Sequence, residues 1–316
     1  MCAIFGLVNY KHVISGKHLK ELVEALSTES EVRGTDASGI AYVKNGEMVI
    51  YKKPKPAHKM KFYFPADTTI LTGHTRMTTQ GNAKFNFNNH PFAGKTADGC
   101  FALCHNGVIY NYDFLEKTED FPDTHIETDS YVAVQLIEKY GRLDFRTIAK
   151  MSETVQGSFV FTILNDDNTL YISKGDNPLC LIHYKQLGLY LYTSTIDIMQ
   201  AVLKGSFLER FPFEVINVNE GEIISISKNG KLERSCFTFE DYGFNLYYDR
   251  YYDYYKDKLD DSYLYSICNM FGISQEDMVL LYEMGYCDEE IEMMLDDKEL
   301  LQSCIEEAKM CIGEYI

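Results

Sequence analysis

The cysteine at position 2 is the first residue of this chain whose position suggests chemistry. Removal of Met1, which is usual before a small residue, leaves a thiol and a free α-amine on the same residue. An α-amine has a reference pKa of about 7.7–8.0, so a sizeable neutral fraction exists at neutral pH. That amine can accept the thiol proton, directly or through a water, so Cys2 supplies both a nucleophile and its base. A buried structural cysteine is the ordinary alternative for such a position.

Polar motifs follow Cys2 at intervals along the chain. They are CAIFG at residues 2–6, RGTDASG at 33–39, GHTRMTTQG at 73–81, NHP at 89–91, HNGVI at 105–109 and ETDS at 127–130. In this order they resemble the class II glutamine amidotransferases, which are N-terminal-nucleophile hydrolases, as in the glutaminase domains of glucosamine-6-phosphate synthase and amidophosphoribosyltransferase. Weaker landmarks at 157–159 and 194–195 extend the resemblance over roughly residues 2–230. One motif alone is weak evidence, whereas the ordered set is specific.

The resemblance implies a reaction in which Cys2 attacks the side-chain amide of glutamine. The products are a γ-glutamyl thioester on Cys2 and ammonia, and water then releases glutamate. The attack creates an oxyanion, which needs preorganised hydrogen-bond donors. The resemblance assigns that role to the side chain of Asn106 and the backbone N–H of Gly107. An Asn side chain supplies a neutral NH₂ donor, and glycine lets the backbone approach closely because it lacks Cβ.

The resemblance also assigns residues that bind the amino-acid part of glutamine. Arg76 offers a planar fork suited to a carboxylate. Asp129 offers the opposite charge for the ammonium, and Thr79 and His90 line the same pocket. The partner expected from these residues is therefore L-glutamine.

Each of these residues also has a structural interpretation. Arg76 suits half of a structural ion pair, Asp129 a helix N-cap, Asn106-Gly107 a type I′ hairpin turn, and His90 a histidine of the core. Their joint occurrence in family order behind Cys2 favours the catalytic interpretation. Three further polar residues of the motifs are interpreted as structural supports: His74, His105 and Asp36.

The sequence departs from the family pattern at the rim of the expected pocket. The chain has no tryptophan, and Met77 follows the arginine where some relatives carry Trp. Gln80 stands where those relatives have His, and Ala37-Ser38 inverts the Ser-Ala order of the sugar-aminating branch. These changes leave the catalytic residues intact and leave the branch of the family open.

The elements that must position these residues follow from the hydrophobic pattern. The periodicity predicts helices over residues 17–28, 129–140, 144–154 and 195–203. Runs of strand-forming residues between Gly-, Asn- and Asp-rich turns predict strands at 3–8, 39–43, 48–51, 69–71, 101–103, 158–164, 170–174, 180–184, 188–193 and 222–226. Strands joined directly as hairpins, with helices grouped in a few places, argue for an α+β layered domain. The resemblance specifies the four-layer αββα N-terminal-nucleophile hydrolase fold for residues 2–239.

The composition changes near residue 240. Residues 240–316 hold 20 acidic and 5 basic residues, so they carry −15 of the total net charge of −17. Residues 242–265 contain nine of the 24 tyrosines, and residues 274–311 have the pattern of short helices, with Ser274 and Asp277 capping the first. The loop at 284–286 faintly resembles that of ubiquitin-associated-type modules, but a small helical bundle is favoured. We expect residues 240–316 to form an acidic Tyr-rich linker and a small C-terminal helical appendage.

Composition also excludes several classes of protein. The acidic balance disfavours a nucleic-acid partner. The longest apolar runs, such as residues 159–164, are far shorter than the roughly 20 residues that cross a bilayer, so no membrane partner is expected. Nine cysteines without paired metal-ligand spacing predict free thiols, no metal site and no cofactor, which places the protein in the cytoplasm.

The sequence leaves three functions open. Residues 240–316 are short and acidic, and no Gly-rich phosphate loop followed by Lys occurs in the chain. We therefore expect a glutaminase that supplies ammonia to a separate synthase or acceptor protein. The alternatives are a stand-alone amidase acting on a related amide and a non-catalytic glutamine-binding or regulatory protein.

Overall fold

The computed structural model describes residues 2–78, 80–239, 263–283, 286, 288–295 and 298–313. The chain divides into two compact units, Met1–Glu240 and Asp241–Ile316. Most of the predicted tyrosine-rich linker, and residues 284–285 of the loop at 284–286, lie outside the described residues.

The strands of the first unit form two antiparallel sheets. In chain order they are β1 (Ala3–Asn9), β2 (Ala37–Lys44), β3 (Glu47–Lys53), β4 (Ile70–Arg76), β5 (Phe92–Thr96), β6 (Gly99–Ile109), β7 (Gly157–Asn165), β8 (Thr169–Lys174), β9 (Cys180–Tyr184), β10 (Leu189–Thr193), β11 (Glu214–Val215), β12 (Glu222–Ser227) and β13 (Leu232–Cys236). The first sheet has the order β11-β9-β10-β1-β4-β2-β3, and the second has the order β13-β12-β8-β7-β6-β5.

Helices cover the outer face of each sheet. They are α1 (Gly16–Glu29), α2 (Tyr112–Thr118), α3 (Tyr131–Tyr140), α4 (Phe145–Thr154) and α5 (Ile196–Leu203). Apolar residues of α1 and α5 pack on the first sheet, and those of α3 and α4 pack on the second. A third apolar cluster contains strand residues of both sheets and fills the space between them. The layers are therefore α, β, β and α, which confirms the predicted α+β fold.

Strand β1 illustrates why the first sheet is buried on both faces. Successive side chains of a strand point to opposite faces. Phe5 and Leu7 pack with the helix α1 side, whereas Ile4 and Val8 lie between the sheets. All seven residues of β1 are buried, and the six from Ala3 to Val8 form a continuous apolar run rather than an alternating one.

The predicted helices and strands match the structure where the buried side chains are apolar, and they differ from it where buried side chains are polar. The helix predicted at 17–28 is Gly16–Glu29, and the strand predicted at 180–184 is Cys180–Tyr184. Strand β4 was expected to end at residue 71 but extends to Arg76, and β6 extends from Gly99 to Ile109 beyond the predicted 101–103. The hydrophobic pattern stops early because the added residues include buried polar ones, such as Thr72, His74 and Asn106.

The second unit is helical. Its described helices are α6 (Tyr263–Met270), α7 (Gln275–Glu283), α8 (Asp288–Met294) and α9 (Lys298–Gly313), which share an apolar cluster. At the start of α7 the Asp277 N–H donates to Ser274 Oγ at 3.1 Å and the Ser274 N–H donates to Asp277 Oδ2 at 3.0 Å. This reciprocal pair confirms the predicted cap.

None of the helices in the described part of the chain is long and apolar enough to span a membrane. Seven cysteines among the described residues are free thiols.

Candidate active site

Cys2 lies directly before strand β1, next to the end of β4. The two strands are antiparallel, with Ala3 opposite Thr75, so the same register puts Cys2 opposite Arg76. Side chains alternate along a strand, and Ile4 points between the sheets. Cys2 therefore faces the space between the sheets, and its Sγ donates to the Met77 carbonyl at 3.4 Å.

The thiol of Cys2 is not acidic in this environment. Burial raises the pKa of the Cys2 thiol above its ordinary value, the Arg76 guanidinium acts in the opposite direction, and the Asp129 carboxylate adds to the rise. This shift favours the protonated thiol. A nucleophilic role then requires a base next to the sulfur.

Asn106 and Gly107 lie inside strand β6, so the hairpin-turn interpretation is wrong. Gly107 has a φ of 149°, and a Cβ at this position would lie 1.8 Å from the Ser158 carbonyl oxygen. Only glycine fits there. Asn177 Nδ2 donates at 3.2 Å to the Asn106 carbonyl, which belongs to the same peptide unit as the Gly107 N–H.

The register of β6 with β7 sets the direction of the Gly107 N–H. Gly107 lies opposite Phe159, whose N–H donates to Asp176 Oδ1 and whose carbonyl accepts from the Gly175 N–H, both on the side away from β6. The pair is therefore of the non-hydrogen-bonded type, in which the N–H of Gly107 points away from β7. Strand β5 pairs with β6 only up to Leu103, so it does not cover this edge.

The side chain of Asn106 is held by Arg33. Arg33 Nη2 donates to Asn106 Oδ1 at 3.5 Å, and Arg33 Nε donates to the Cys2 carbonyl at 2.8 Å. A guanidinium only donates, so it selects the oxygen of the amide and turns the Asn106 NH₂ group away from itself. Asn106 is 1% exposed, and its Nδ2 has no hydrogen-bond partner among the described residues. One guanidinium thus joins the backbone of Cys2 to the side chain of Asn106, whose NH₂ group is buried and has no partner among the described residues.

No role is assigned to Arg33 by the sequence motifs. The only signal was its place as the first residue of the RGTDASG motif.

Arg76 is buried at the end of β4 and bonds neutral oxygens. Its Nη1 donates to Asn89 Oδ1 at 2.7 Å, and its Nη2 donates to the carbonyls of Gln80 and Gly81. It takes part in no ion pair with another described residue, so the structural ion-pair interpretation is wrong for this part of the chain. Its charge is therefore available to an anionic group of a ligand.

Asp129 is buried beside the same edge of β6. Its Oδ2 accepts from the Ile109 N–H at 2.7 Å, and its Oδ1 accepts from Ser130 Oγ at 3.3 Å. The N-cap of α3 is Ser130, so the interpretation of Asp129 as the cap is wrong. Ile109 and Gly107 are two residues apart, about 7 Å along a strand, and their N–H groups share an edge. The carboxylate thus lies about the length of an amino-acid side chain from the Gly107 N–H.

Three histidines form a neutral group behind the site. The rings of His90 and His74 stack with centroids 4.1 Å apart. Burial lowers the pKa of His74 to about 3 and lowers that of His90 well below its usual value. His74 Nε2 lies 3.0 Å from the His105 carbonyl, in keeping with a supporting role. Neither ring nitrogen of His90 has a partner among the described residues, although the side chain is 3% exposed.

The remaining predicted residues border a cleft. Thr79 lies outside the described residues. Met77 is half exposed, and a cleft of about 610 Å³ is lined by Asp36, Thr78 and residues 80–84 among others. Because its lining does not include Cys2 or Asn106, this cleft adjoins the site and does not cover the sulfur.

Comparison with known proteins agrees with this geometry. The family described as "Glutamine amidotransferase domain" matches residues 74–201. The chain is 31% identical over 251 residues to glutamine–fructose-6-phosphate aminotransferase (isomerizing) of Geobacillus kaustophilus, covering 76% of this chain and 40% of that protein. It is 33% identical over 189 residues to the enzyme of the same name from Staphylococcus epidermidis, covering 57% of this chain and 30% of that protein. The chain thus spans about two fifths or less of the length of these relatives.

Solved structures show the same fold. The glutamine phosphoribosylpyrophosphate amidotransferase of B. subtilis, complexed with ADP and GMP, matches with a TM-score of 0.60 at 18% identity, over 76% of this chain and 50% of that chain. A structure described as the allosteric regulatory enzyme of purine biosynthesis matches with a TM-score of 0.58 at 17% identity, over 77% of this chain and 50% of that chain. The chain therefore carries a domain of the class II glutamine amidotransferase family, with the N-terminal-nucleophile hydrolase fold.

Proposed function

We propose that this chain hydrolyses the side-chain amide of L-glutamine to glutamate and ammonia, with Cys2 as the nucleophile and residues 2–239 as the glutaminase domain. The observation that carries the proposal is the Asn106 amide, whose NH₂ group is buried and unpartnered among the described residues while Arg33 holds its oxygen. An unpaired buried donor costs about 1–3 kcal/mol. The oxyanion that forms when Cys2 attacks the substrate amide accepts a hydrogen bond from this NH₂ group, which offsets the cost.

The reaction begins with removal of the thiol proton. The α-amine of Cys2, exposed when Met1 is cleaved, takes that proton. The sulfur then bonds to the amide carbon, and Asn106 Nδ2 and the Gly107 N–H donate to the oxyanion. Collapse of the intermediate breaks the C–N bond, and the proton on the amine passes to the leaving ammonia. Water, deprotonated by the same amine, attacks the γ-glutamyl thioester, which releases glutamate and restores the thiol.

The two charged groups of the substrate are assigned to two charged residues near the sulfur. Arg76 binds the α-carboxylate of glutamine, since its guanidinium is within electrostatic reach of Asp129 and Asp36 but forms no direct ion pair with a described carboxylate. Asp129 binds the α-ammonium, and its position along β6 fits the separation of the ammonium from the amide. The family resemblance assigns Thr79 and His90 to the same pocket. The two nitrogens of His90 that lack partners among the described residues support a polar contact with the substrate.

The ammonia is proposed to serve a separate synthase or acceptor protein. The curated relatives are named for amino transfer to fructose 6-phosphate, and this chain aligns with about two fifths of the first of them. The acceptor is tested by asking which protein co-purifies with the full chain and whether that protein consumes ammonia only when glutamine is supplied.

Glutamate release from glutamine tests the hydrolysis. We expect Cys2→Ala to lower turnover by at least about 10³-fold, as loss of a nucleophile does in other hydrolases, without changing the unfolding temperature. Cys236→Ala, which removes an exposed thiol elsewhere, is the matched control and keeps full activity. The mass of the purified chain reports whether Met1 is absent. Activity that survives Cys2→Ala, or a wild-type chain that binds glutamine without releasing glutamate, contradicts the proposal.

A further inference from the structure

Lys52 on strand β3 directs its ammonium group at the backbone of residues 89–91. Its Nζ donates to the Asn89 carbonyl at 2.5 Å and to the Pro91 carbonyl at 2.9 Å. It also lies 4.9 Å from the centroid of the Phe92 ring. The next residue, Lys53, is exposed to solvent. Lys52 is therefore half-buried and hydrogen-bonded to the backbone, whereas its neighbour is an exposed lysine.

The packing around Lys52 leaves little room for another arrangement. A Cβ on Gly39 of strand β2 would lie 2.4 Å from the His90 carbonyl oxygen and 2.7 Å from Lys52 Cβ. Asn86 Nδ2 donates back to the Lys52 carbonyl at 2.9 Å. Strands β2 and β3 thus hold the segment 86–91 through both the backbone and the side chain of Lys52.

This segment carries the residue that holds Arg76. Asn89 Oδ1 accepts from Arg76 Nη1 at 2.7 Å, and Asn89 Nδ2 donates to the Ala83 carbonyl at 2.8 Å. The Asn89 backbone carbonyl is the group that Lys52 holds. A continuous set of hydrogen bonds therefore runs from the ammonium of Lys52 to the guanidinium of Arg76.

We propose that Lys52 is a positioning residue for glutamine binding, which fixes Asn89 and thereby the guanidinium of Arg76 that receives the substrate carboxylate. The proposal rests on the proposed glutaminase function. It assigns to Lys52 an effect on substrate affinity and not on the chemical step, because its ammonium contacts the support of the clamp and neither the sulfur nor the oxyanion donors.

The charge of Lys52 makes this support dependent on pH. Burial lowers the pKa of Lys52 to about 8, with Cys104 on β6 opposing this shift and Arg76 on β4 adding to it. The other titratable groups near it are His74 and His90, which burial keeps neutral. No carboxylate pairs with Lys52 in the described part of the chain. Above pH 8 the ammonium becomes an amine, and its hydrogen bonds to the two carbonyls lose their charge assistance.

The stability effect of this titration has the opposite sign to the binding effect. The pKa of Lys52 is lower in the folded chain than the value of about 10.4 expected for an unfolded one. Between these values the unfolded chain binds one more proton than the folded chain, so the contribution of Lys52 to stability rises with pH. Deprotonation of Lys52 thus does not destabilise the fold. A loss of glutamine affinity above pH 8 is therefore not explained by unfolding caused by this residue.

The test compares glutamine kinetics of Lys52→Met, Lys52→Arg and wild type between pH 6.5 and 9.5, with Lys53→Met as the matched control. At pH 7 we expect Lys52→Met to raise KM about tenfold, the size of one lost charge-assisted hydrogen bond, and to leave kcat within about twofold. Lys53→Met should match wild type. The wild-type KM should rise above pH 8 more steeply than that of either Lys52 variant, since methionine does not titrate and arginine stays charged. Titration of the substrate amine affects all four proteins equally.

The possible outcomes test the positioning role of Lys52 and the proposed function separately. An unchanged KM in Lys52→Met, or a fall in kcat with constant KM, overturns the positioning role. If Lys52→Met does not fold, the pH dependence of Lys52→Arg tests the proposal. A KM of Lys52→Arg that rises above pH 8 as steeply as the wild-type KM overturns it. A wild-type chain that releases no glutamate at any pH refutes the proposed function itself, whereas an active wild type with an indifferent Lys52 refutes only this inference.

Discussion

Replacing Asn106 with leucine should lower kcat strongly while changing the free energy of unfolding little. Leucine has the same branched arrangement of four side-chain heavy atoms as asparagine and a larger volume, so the change removes the amide without leaving a cavity between the sheets. The catalytic effect follows from the loss of one oxyanion donor, which typically lowers kcat by about 10²–10³-fold. KM should stay within a few-fold of the wild-type value, because the amide is needed only when the oxyanion forms.

The stability effect can be worked out from the hydrogen bonds of Asn106. Its NH₂ group is buried and unpartnered among the described residues, and removing such a donor recovers about 1–3 kcal/mol. The bond from Arg33 is long, at 3.5 Å, so its loss costs about 1.5 kcal/mol, the lower end of the range for a bond to a charged group. Arg33 keeps its bond to the Cys2 carbonyl. The net expectation is a stability between about 0.5 kcal/mol below and about 1.5 kcal/mol above that of wild type.

Asn111→Leu is the matched control for this experiment. Asn111 is also buried, but its Oδ1 accepts from the Gln156 N–H at 2.9 Å and its Nδ2 donates to the Thr154 carbonyl at 3.0 Å. The same substitution there breaks both bonds and should lower stability by about 1–3 kcal/mol. Urea unfolding gives the two free energies, and glutamate release gives kcat and KM. A kcat within tenfold of wild type for Asn106→Leu, or a stability loss as large as that of Asn111→Leu, would refute the reasoning.

Two further substitutions test the other contacts of the site. Asp129→Asn keeps an oxygen for the Ile109 N–H but removes the charge, so KM for glutamine should rise about 10–100-fold, the size of a lost hydrogen bond to a charged group; an unchanged KM would remove Asp129 from the ammonium site. Asn177→Leu deletes the donor to the Asn106 carbonyl, so the peptide that carries the Gly107 N–H is less firmly oriented. There kcat should fall about three- to tenfold at constant KM, as for one neutral hydrogen bond, and an equal rise in KM would contradict this role.

The hydrophobic pattern predicted the elements whose burial is apolar. Helix α1 buries Leu19, Leu22, Val23 and Leu26 on one face, and its ends agree with the prediction to within a residue. The pattern failed for α2, which has seven residues and buries only Leu115, and for β13, whose residues are largely exposed. Such short or exposed elements leave too few apolar positions to establish a period.

The pattern also failed on two stretches that hold candidate site residues. The part of β4 beyond residue 71 and the part of β6 beyond residue 103 were not predicted as strand. Their buried side chains include Thr72, His74 and Asn106, which are polar and take part in hydrogen bonds. Local hydrophobicity cannot report a strand whose burial is compensated by hydrogen bonds.

The sequence by itself determined the identities that chemistry requires and their order along the chain. A cysteine next to the N-terminus, an Asn-Gly pair, an arginine and an aspartate are recognisable because amide hydrolysis restricts the residue types that can serve. These are properties of side chains, and they can be read without coordinates.

Only the tertiary structure decided which groups act on one another. Arg33 reaches Cys2 across 31 positions and Asn106 across 73, and Lys52 reaches Asn89 across 37. These pairings depend on the registers of strands that are far apart in the chain, where a shift of one residue would turn every side chain to the opposite face. The orientation of the Asn106 amide and the support of Arg76 are therefore set by packing between sheets and not by any local run of residues.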